Sequence, residues 1–140
     1  MKPSLFIVIP AYNEARTIGE VVRHVRELRI TNYELRILVV DDGSTDKTAS
    51  IAQKNCATVL SHPINRGLGA ALSTGIEAAL RIFHNAPQPP LNLRGGEEVI
   101  IVTFDGDGQH DPGDIAAIVE PILKGEADVV IGSRFLHNPS

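Results

Sequence analysis

The stretch Val99–Pro112, VIIVTFDGDGQHDP, constrains the fold of this chain more than any other. The run Val99-Ile100-Ile101-Val102-Thr103-Phe104 stops abruptly at Asp105-Gly106-Asp107-Gly108-Gln109. A short apolar run bounded by turn formers predicts a buried strand, the kind found in parallel sheets with both faces covered. Two carboxylates at i and i+2 just past the strand end project to roughly one side while the backbone stays extended. Glycine on either side of Asp107 leaves room for a ligand and lets the chain turn. A hard divalent cation held by one or two carboxylates and the phosphates of a substrate needs this arrangement. The competing reading is a solvated acidic turn, and the rest of the chain decides between them.

Other runs end the same way. Leu5–Ile9 stops at Pro10-Ala11-Tyr12-Asn13-Glu14, and Leu35–Val40 stops at Asp41-Asp42-Gly43-Ser44-Thr45-Asp46. Thr58-Val59-Leu60 predicts a third, short strand, and Ala127–Ile131 a fifth that leads into Gly132-Ser133-Arg134. Helical periods separate them. Ile18, Val21, Val22, Val25 and Leu28 form one apolar stripe, and Leu68, Leu72, Ile76, Ala79, Leu80 and Phe83 another. Ser44, Thr45 and Asp46 are N-cap chemistry for a short helix to about Lys54. Asp111-Pro112 opens a helix whose buried stripe is Ile115, Ile118, Val119 and Ile122. Asn85–Glu98, with three prolines, two glycines and no period, predicts a loop or insertion.

Strands apolar throughout, alternating with helices, predict an α/β domain on a mainly parallel sheet. Ligands of such sheets bind outside the carboxyl ends of the strands. Four ends carry chemistry: Pro10 to Glu14, Asp41-Asp42, Asp105-Gly106-Asp107 and Arg134. All four are expected on one sheet edge, which favours the ligand-binding reading of Asp105 and Asp107.

Composition narrows the classes further. The 140 residues suffice for one domain with a real core. A formal charge of −4 gives no electrostatic footprint for nucleic acid. Cys56 is alone, which excludes an internal disulfide and fits a reducing compartment. The five histidines, His24, His62, His84, His110 and His137, are scattered without zinc-site spacing. No apolar run approaches a membrane span, and Leu5–Ile9 is too short for a signal-peptide core.

With these clusters in hand, the chain resembles the family 2 glycosyltransferases of the GT-A fold, closest to the dolichyl-phosphate mannose synthases and bacterial polyprenyl-phosphate glycosyltransferases. The matching segments are Ile9–Glu14, Val39–Asp46, Asn65-Arg66-Gly67-Leu68-Gly69-Ala70-Ala71, Asp105–His110 with its Asp-x-Asp motif, and Gly132-Ser133-Arg134. They follow the family's order over nearly the whole chain.

The resemblance implies a Rossmann-like GT-A domain, with helices on both faces of the sheet, that binds a GDP- or UDP-sugar. On that basis Pro10, Tyr12 and Glu14 line the nucleotide pocket, with Val40 and Asp42 beside base and ribose. Asp105, Gly106 and Asp107 meet the donor through Mg²⁺ or Mn²⁺, with Gln109 a third oxygen ligand. Arg134 faces a phosphate, and Asp107 and Arg134 are the residues expected to serve catalysis. A planar fork of donors suits phosphate oxygens. The implied reaction transfers a hexose with inversion, most readily onto a polyprenyl or dolichyl phosphate. Such an acceptor is already anionic, and no residue is an evident general base.

The same resemblance places the protein in the cytoplasm, peripheral at the cytoplasmic face of a membrane, with homo-oligomers open. It also implies that residues 1–140 are one donor-binding domain, incomplete on its C-terminal, acceptor side. Donor and metal binding are then expected, with weak or no turnover by these residues alone. Two alternatives stay open: a non-catalytic nucleotide-sugar-binding fragment, and a transferase using a sugar hydroxyl in polysaccharide or cell-wall synthesis. A nucleotidyltransferase expects a Gly-rich, Arg-containing loop after the first strand, which Pro10–Glu14 does not supply. A dinucleotide fold would place its third glycine at Leu72, and Gly67-Leu68-Gly69 follows the third strand rather than the first.

Overall fold

Four of the predicted apolar runs assemble into one parallel sheet. The computed structural model describes residues 2–30, 32–85 and 99–132. Within them β1 (Ser4–Ala11), β2 (Glu34–Asp41), β3 (Thr58–Ser61) and β4 (Val99–Thr103) lie in the order β3-β2-β1-β4. Every pairing is parallel, with Val8 opposite Leu38 on one side and Thr103 on the other. Strand β1 continues through Pro10 to Ala11. Its pairing with β4 ends at Val8 and Thr103, so Pro10 has a strand neighbour only in Val40, where a missing N–H is tolerated.

Alternate residues of a strand face opposite ways, and both faces of β1 are covered. Leu5, Ile7 and Ile9 enter a core built with Ile18, Val21, Val22 and Val25 of α1 (Ile18–Glu27). Ala52 of α2 (Thr48–Lys54) and Ile115 and Val119 of α4 (Asp114–Leu123) complete it. On the other face Phe6 and Val8 join Leu38 and Val40 against Ala71 and Ala79 of α3 (Leu68–Asn85). The expected mainly parallel α/β architecture with helices on both faces is therefore present. The stripes of α1 and α4 also sit where the periodicity places them.

Helix α3 departs from its reading. Its buried face is Ala71, Gly75 and Ala79, whereas Leu68 and Leu80 are exposed. A Cβ added to Gly75 would lie 2.3 Å from Val8 Cγ1, so the helix backbone sits almost on the sheet. Close approach selects the small residues, and the large ones flank the contact, with Ile82 and Phe83 packing at its margin. The N-cap reading of Ser44 and Thr45 is corrected too. Ser44 accepts a hydrogen bond from the Asn13 N–H at 2.9 Å, and it is Asp46 that accepts from the Thr48 N–H at the helix start, at 3.0 Å.

The fifth strand is not formed. Ala127–Ile131 is irregular, with Val129 77% and Ile131 85% exposed. β-propensity expresses packing and pairing with neighbours, and this segment pairs with no strand among the described residues. Most of the predicted Asn85–Glu98 loop, and the pair Ser133-Arg134, lie outside the described residues.

Candidate functional site

Strand order reverses at β1: β2 and β3 lie to one side of it and β4 to the other. In open parallel sheets the crevice outside the carboxyl ends at such a point receives ligands. Here it is a cleft of about 320 Å³, within the usual range of small-molecule sites. The end of β1 and the residues after it supply Pro10, Ala11, Tyr12 and Glu14, and Asp42 directly follows β2. The turn before α3 supplies Asn65 and Gly67, the first turn of α3 supplies Leu68 and Ala71, and the segment after β4 supplies Asp105, Gly106 and Asp107.

The first two loops are stitched to each other. Asn13, at φ 51°, donates its N–H to Ser44 Oγ and accepts from the Thr45 N–H at 2.9 Å. Asparagine tolerates this left-handed backbone better than most residues. The Glu14 N–H donates to Thr48 Oγ1 at 2.9 Å and the Ala15 N–H to Asp46 Oδ2 at 3.2 Å. The hydrogen bond from the Thr48 hydroxyl, joined by backbone donors, holds the Asp46 carboxyl below its usual pKa. Glu14 also accepts the N–H groups of Thr17 and Ile18 through its carbonyl, fixing the start of α1. Tyr12 is 45% exposed on the cleft wall, its ring available for stacking.

Asp41 and Asp42 have separate tasks. Asp41 is buried and closes its own turn, accepting from the Ser44 N–H at 3.1 Å and the Ser61 hydroxyl at 3.4 Å. Asp42 is buried where β2 meets the cleft. Its Oδ1 accepts from the Arg66 N–H at 2.9 Å and lies 2.7 Å from His62 Nδ1, while Oδ2 accepts from the Gly67 N–H at 2.8 Å. Burial pushes the Asp42 pKa up, but the bonds from Arg66, His62 and Gly67 outweigh it and leave the carboxyl below its ordinary value.

The Asp105–Asp107 segment is tied to α1. Thr17 Oγ1 donates to the Gly106 carbonyl at 2.7 Å across 89 positions of sequence. A Cβ at Gly106 would meet Ile18 Cδ1 at 3.3 Å and Ala11 Cβ and Ile9 Cγ2 at 3.4 Å. The room this glycine leaves is therefore taken up by packing against β1 and α1, which corrects the reading that it opens space for a ligand. Gly108, at φ 78°, makes the turn. Asp105 Oδ2 lies 2.9 Å from His110 Nε2, whose ring also rests 5.5 Å from Phe104. Asp107 Oδ1 accepts from the Gln109 N–H at 2.9 Å.

The donor set fits a hard cation. Both carboxylates line one cleft, and each keeps an oxygen outside these contacts. No group of three or more His, Cys, Asp or Glu side chains converges among the described residues. Protein ligands alone would leave the ion short of oxygens, which is how Mg²⁺-type ions are held when a substrate's phosphates complete the shell.

Of the predicted site residues, Pro10, Tyr12, Glu14, Asp42, Asp105, Gly106 and Asp107 come together in the cleft. Val40 does not; it is fully buried, with its Cγ2 3.1 Å from where a Gly75 Cβ would stand. Val40 lies within β2 beneath α3, whereas Asp42 stands past the strand end, where the cleft opens. Gln109 is exposed beside the cleft and is not among its lining residues, and Arg134 lies outside the described residues. Sequence reasoning passed over His62, Thr17 and the lining contributed by Asn65, Leu68 and Ala71. The Asn65–Ala71 motif signalled the last three; nothing local signals the pairing of His62 with Asp42.

Comparison with known proteins converges on one family. Residues 6–140 match the model described as glycosyl transferase family 2. The chain is 42% identical over 135 residues to an uncharacterized protein of Methanocaldococcus jannaschii, covering 96% of this chain and 48% of that protein. It is 34% identical over 152 residues to the UDP-N-acetylglucosamine–dolichyl-phosphate N-acetylglucosaminyltransferase of Methanococcus voltae, covering 96% of this chain and 53% of that one. The chain thus spans about half the length of these curated relatives. Among solved structures it superposes on glucosyl-3-phosphoglycerate synthase from Mycobacterium tuberculosis, in complex with Mn²⁺, UDP-glucose and phosphoglyceric acid. The TM-score is 0.64 at 27% identity, covering 89% of this chain and 40% of that one.

Proposed function

The chain belongs to glycosyl transferase family 2, and on that premise we propose that its cleft binds a nucleotide-sugar donor with a divalent cation for transfer of the hexose to a lipid phosphate. The observation that carries this reading is the meeting of three strand-end clusters, Pro10–Glu14, Asp42 and Asp105–Asp107, in one cleft at the point where strand order reverses. The likeness to a structure solved with Mn²⁺ and UDP-glucose supports the donor class. The relative named for a dolichyl-phosphate acceptor supports the acceptor class.

In this reading Tyr12 and Pro10 give apolar contact to the base, and Asp42 offers a fixed carboxylate oxygen to an N–H or hydroxyl of the nucleoside. Asp105 and Asp107 would hold Mn²⁺ or Mg²⁺, with Gln109 close enough in sequence to add an oxygen. A divalent ion bound there offsets the diphosphate charge and stabilises it as leaving group. Thr17 fixes the backbone between the two carboxylates through Gly106. Arg134 is assigned a phosphate of donor or acceptor. A phosphate acceptor needs no proton removed at neutral pH, so positioning and charge stabilisation suffice for displacement with inversion. His110 is engaged with Asp105. No helix among the described residues is long and apolar enough to cross a membrane. The reading therefore places this domain against the membrane surface, where a lipid phosphate is presented.

Calorimetric titration with UDP, GDP and their sugars, with and without Mn²⁺, tests the donor site. Binding in Mn²⁺ that weakens at least tenfold in Asp105→Ala and Asp107→Ala is the expected result. Equal affinity of parent and variants in Mn²⁺ would overturn the metal assignment. Any turnover by these residues alone is expected to be weak and to release nucleoside diphosphate with polyprenyl phosphate, not with a sugar hydroxyl; the reverse preference would select a hydroxyl acceptor.

A further inference from the structure

His62 has no part in the function assigned so far, yet it is one of the few buried polar side chains, and both its ring nitrogens are engaged. Nδ1 lies 2.7 Å from Asp42 Oδ1, and Nε2 lies 2.8 Å from Thr74 Oγ1 on α3. Carboxylate, imidazole and hydroxyl form a line, the arrangement that elsewhere activates a nucleophile. Thr74 does not line the cleft, so here the line fixes its members rather than activating one.

Its effect falls on Asp42. An ionised carboxylate has about four acceptor positions. Three are taken by His62, Arg66 and Gly67, two of them on Oδ1 and one on Oδ2. That leaves one acceptor position, on Oδ2, on a side chain that lines the cleft. The same carboxylate anchors the Arg66 and Gly67 amides, and so the turn that delivers Asn65, Gly67 and Leu68 to the cleft. Remove the His62 bond and a buried carboxylate oxygen loses a partner while the group is freer to rotate. Both the free acceptor and the anchored turn then lose their definition.

We infer that His62 is the positioning residue of the donor cleft: its Nδ1–H fixes the Asp42 carboxylate so that Oδ2 keeps one acceptor position for the nucleoside and both oxygens hold the Asn65–Leu68 turn in place. This rests on the reading of the cleft as a nucleotide site. The ring therefore carries its proton on Nδ1. Thr74 donates to Nε2 when the ring is neutral and accepts from it when charged.

The test compares two substitutions that each keep one half of the contact. The amide of His62→Asn stands near the position of Nδ1 and retains a donor to Asp42. His62→Gln reaches toward Thr74 and leaves Asp42 without its partner. Each variant loses one of two buried hydrogen bonds, so thermal unfolding is read alongside as the control for general destabilisation. Calorimetry with UDP and GDP in Mn²⁺ is expected to show His62→Asn within about threefold of the parent. His62→Gln is expected to be about tenfold weaker, the order of one charge-assisted hydrogen bond. Amide hydrogen exchange at Arg66 and Gly67 is expected to speed up in His62→Gln and not in His62→Asn. In the parent, a long-range ¹H–¹⁵N spectrum of the ring is expected to show Nδ1 protonated. A ring protonated at Nε2 alone, or affinity and exchange that follow melting temperature rather than the retained donor, would overturn the inference. A parent that binds neither nucleotide would instead overturn the donor reading, and the ring spectrum and amide exchange would still decide the role of His62.

Discussion

Asp42 is the residue where one side chain joins fold and site. A carboxylate two positions past an apolar run is visible in the sequence as a strand-end ligand, but its three partners come from positions 20, 24 and 25 residues away. Those bonds lower its pKa in the folded protein below the ordinary 3.8. The stabilisation from the ionised form is then fully present above the ordinary value, and it is lost as pH falls through the lower folded value. Urea unfolding of the parent and Asp42→Asn is expected to show a constant gap in stability at neutral and mildly acid pH. The gap closes on acidification below the ordinary aspartate range; a gap that widened there would contradict the assignment. Val40 makes the opposite point. It stands two positions before Asp42, yet it lies within the strand beneath α3 and is buried in the core, so nearness to a motif did not place it in the site.

Helix α3 shows what periodicity does and does not determine. The 3.6-residue pattern located the helix, but the leucines that gave the strongest apolar signal are not its contact face. How close a helix lies to a sheet depends on what the sheet presents, and here Val8 and Val40 press against Gly75. Gly75→Ala is expected to destabilise the fold. The methyl would overlap Val8, and overpacking costs about 1–3 kcal/mol, more than the ~1 kcal/mol of helix propensity gained. Gly69→Ala, with nothing within 4 Å of the added carbon, is expected to be neutral or to stabilise by up to ~1 kcal/mol. Paired thermal melts separate the two, and an unchanged melting temperature for Gly75→Ala would show that α3 can draw back. The Ala127–Ile131 segment is the complementary case. Its β-branched composition reads as a strand, but a strand needs a ladder partner, and among the described residues it has none.

At the scale of the molecule, the cleft exists because parallel strands deliver their ends to one edge and the reversal of strand order at β1 parts the loops there. Filling it bridges segments that lie far apart in the chain. Addition of nucleotide and Mn²⁺ is expected to slow hydrogen exchange together at residues 10–14, 65–71 and 105–107, with the exposed end of α4 unaffected. Ligand at a hundred times its dissociation constant adds about 2.7 kcal/mol to global stability. Protection confined to one of these segments would show that they do not share a ligand. The sequence by itself determined the order of β1 to β4 and α1 to α4, the parallel sheet, the carboxylates at the strand ends and the family. All of these are written in local runs, periods and motifs. Only the tertiary structure decided that α3 packs through small residues, that Gly106 is filled by β1 and α1, and that Thr17 and His62 support the two acidic groups. Those outcomes are contacts between residues far apart in the chain, 89 positions for Thr17 and Gly106, set by sheet order and by the distance between layers, and no local pattern carries that information.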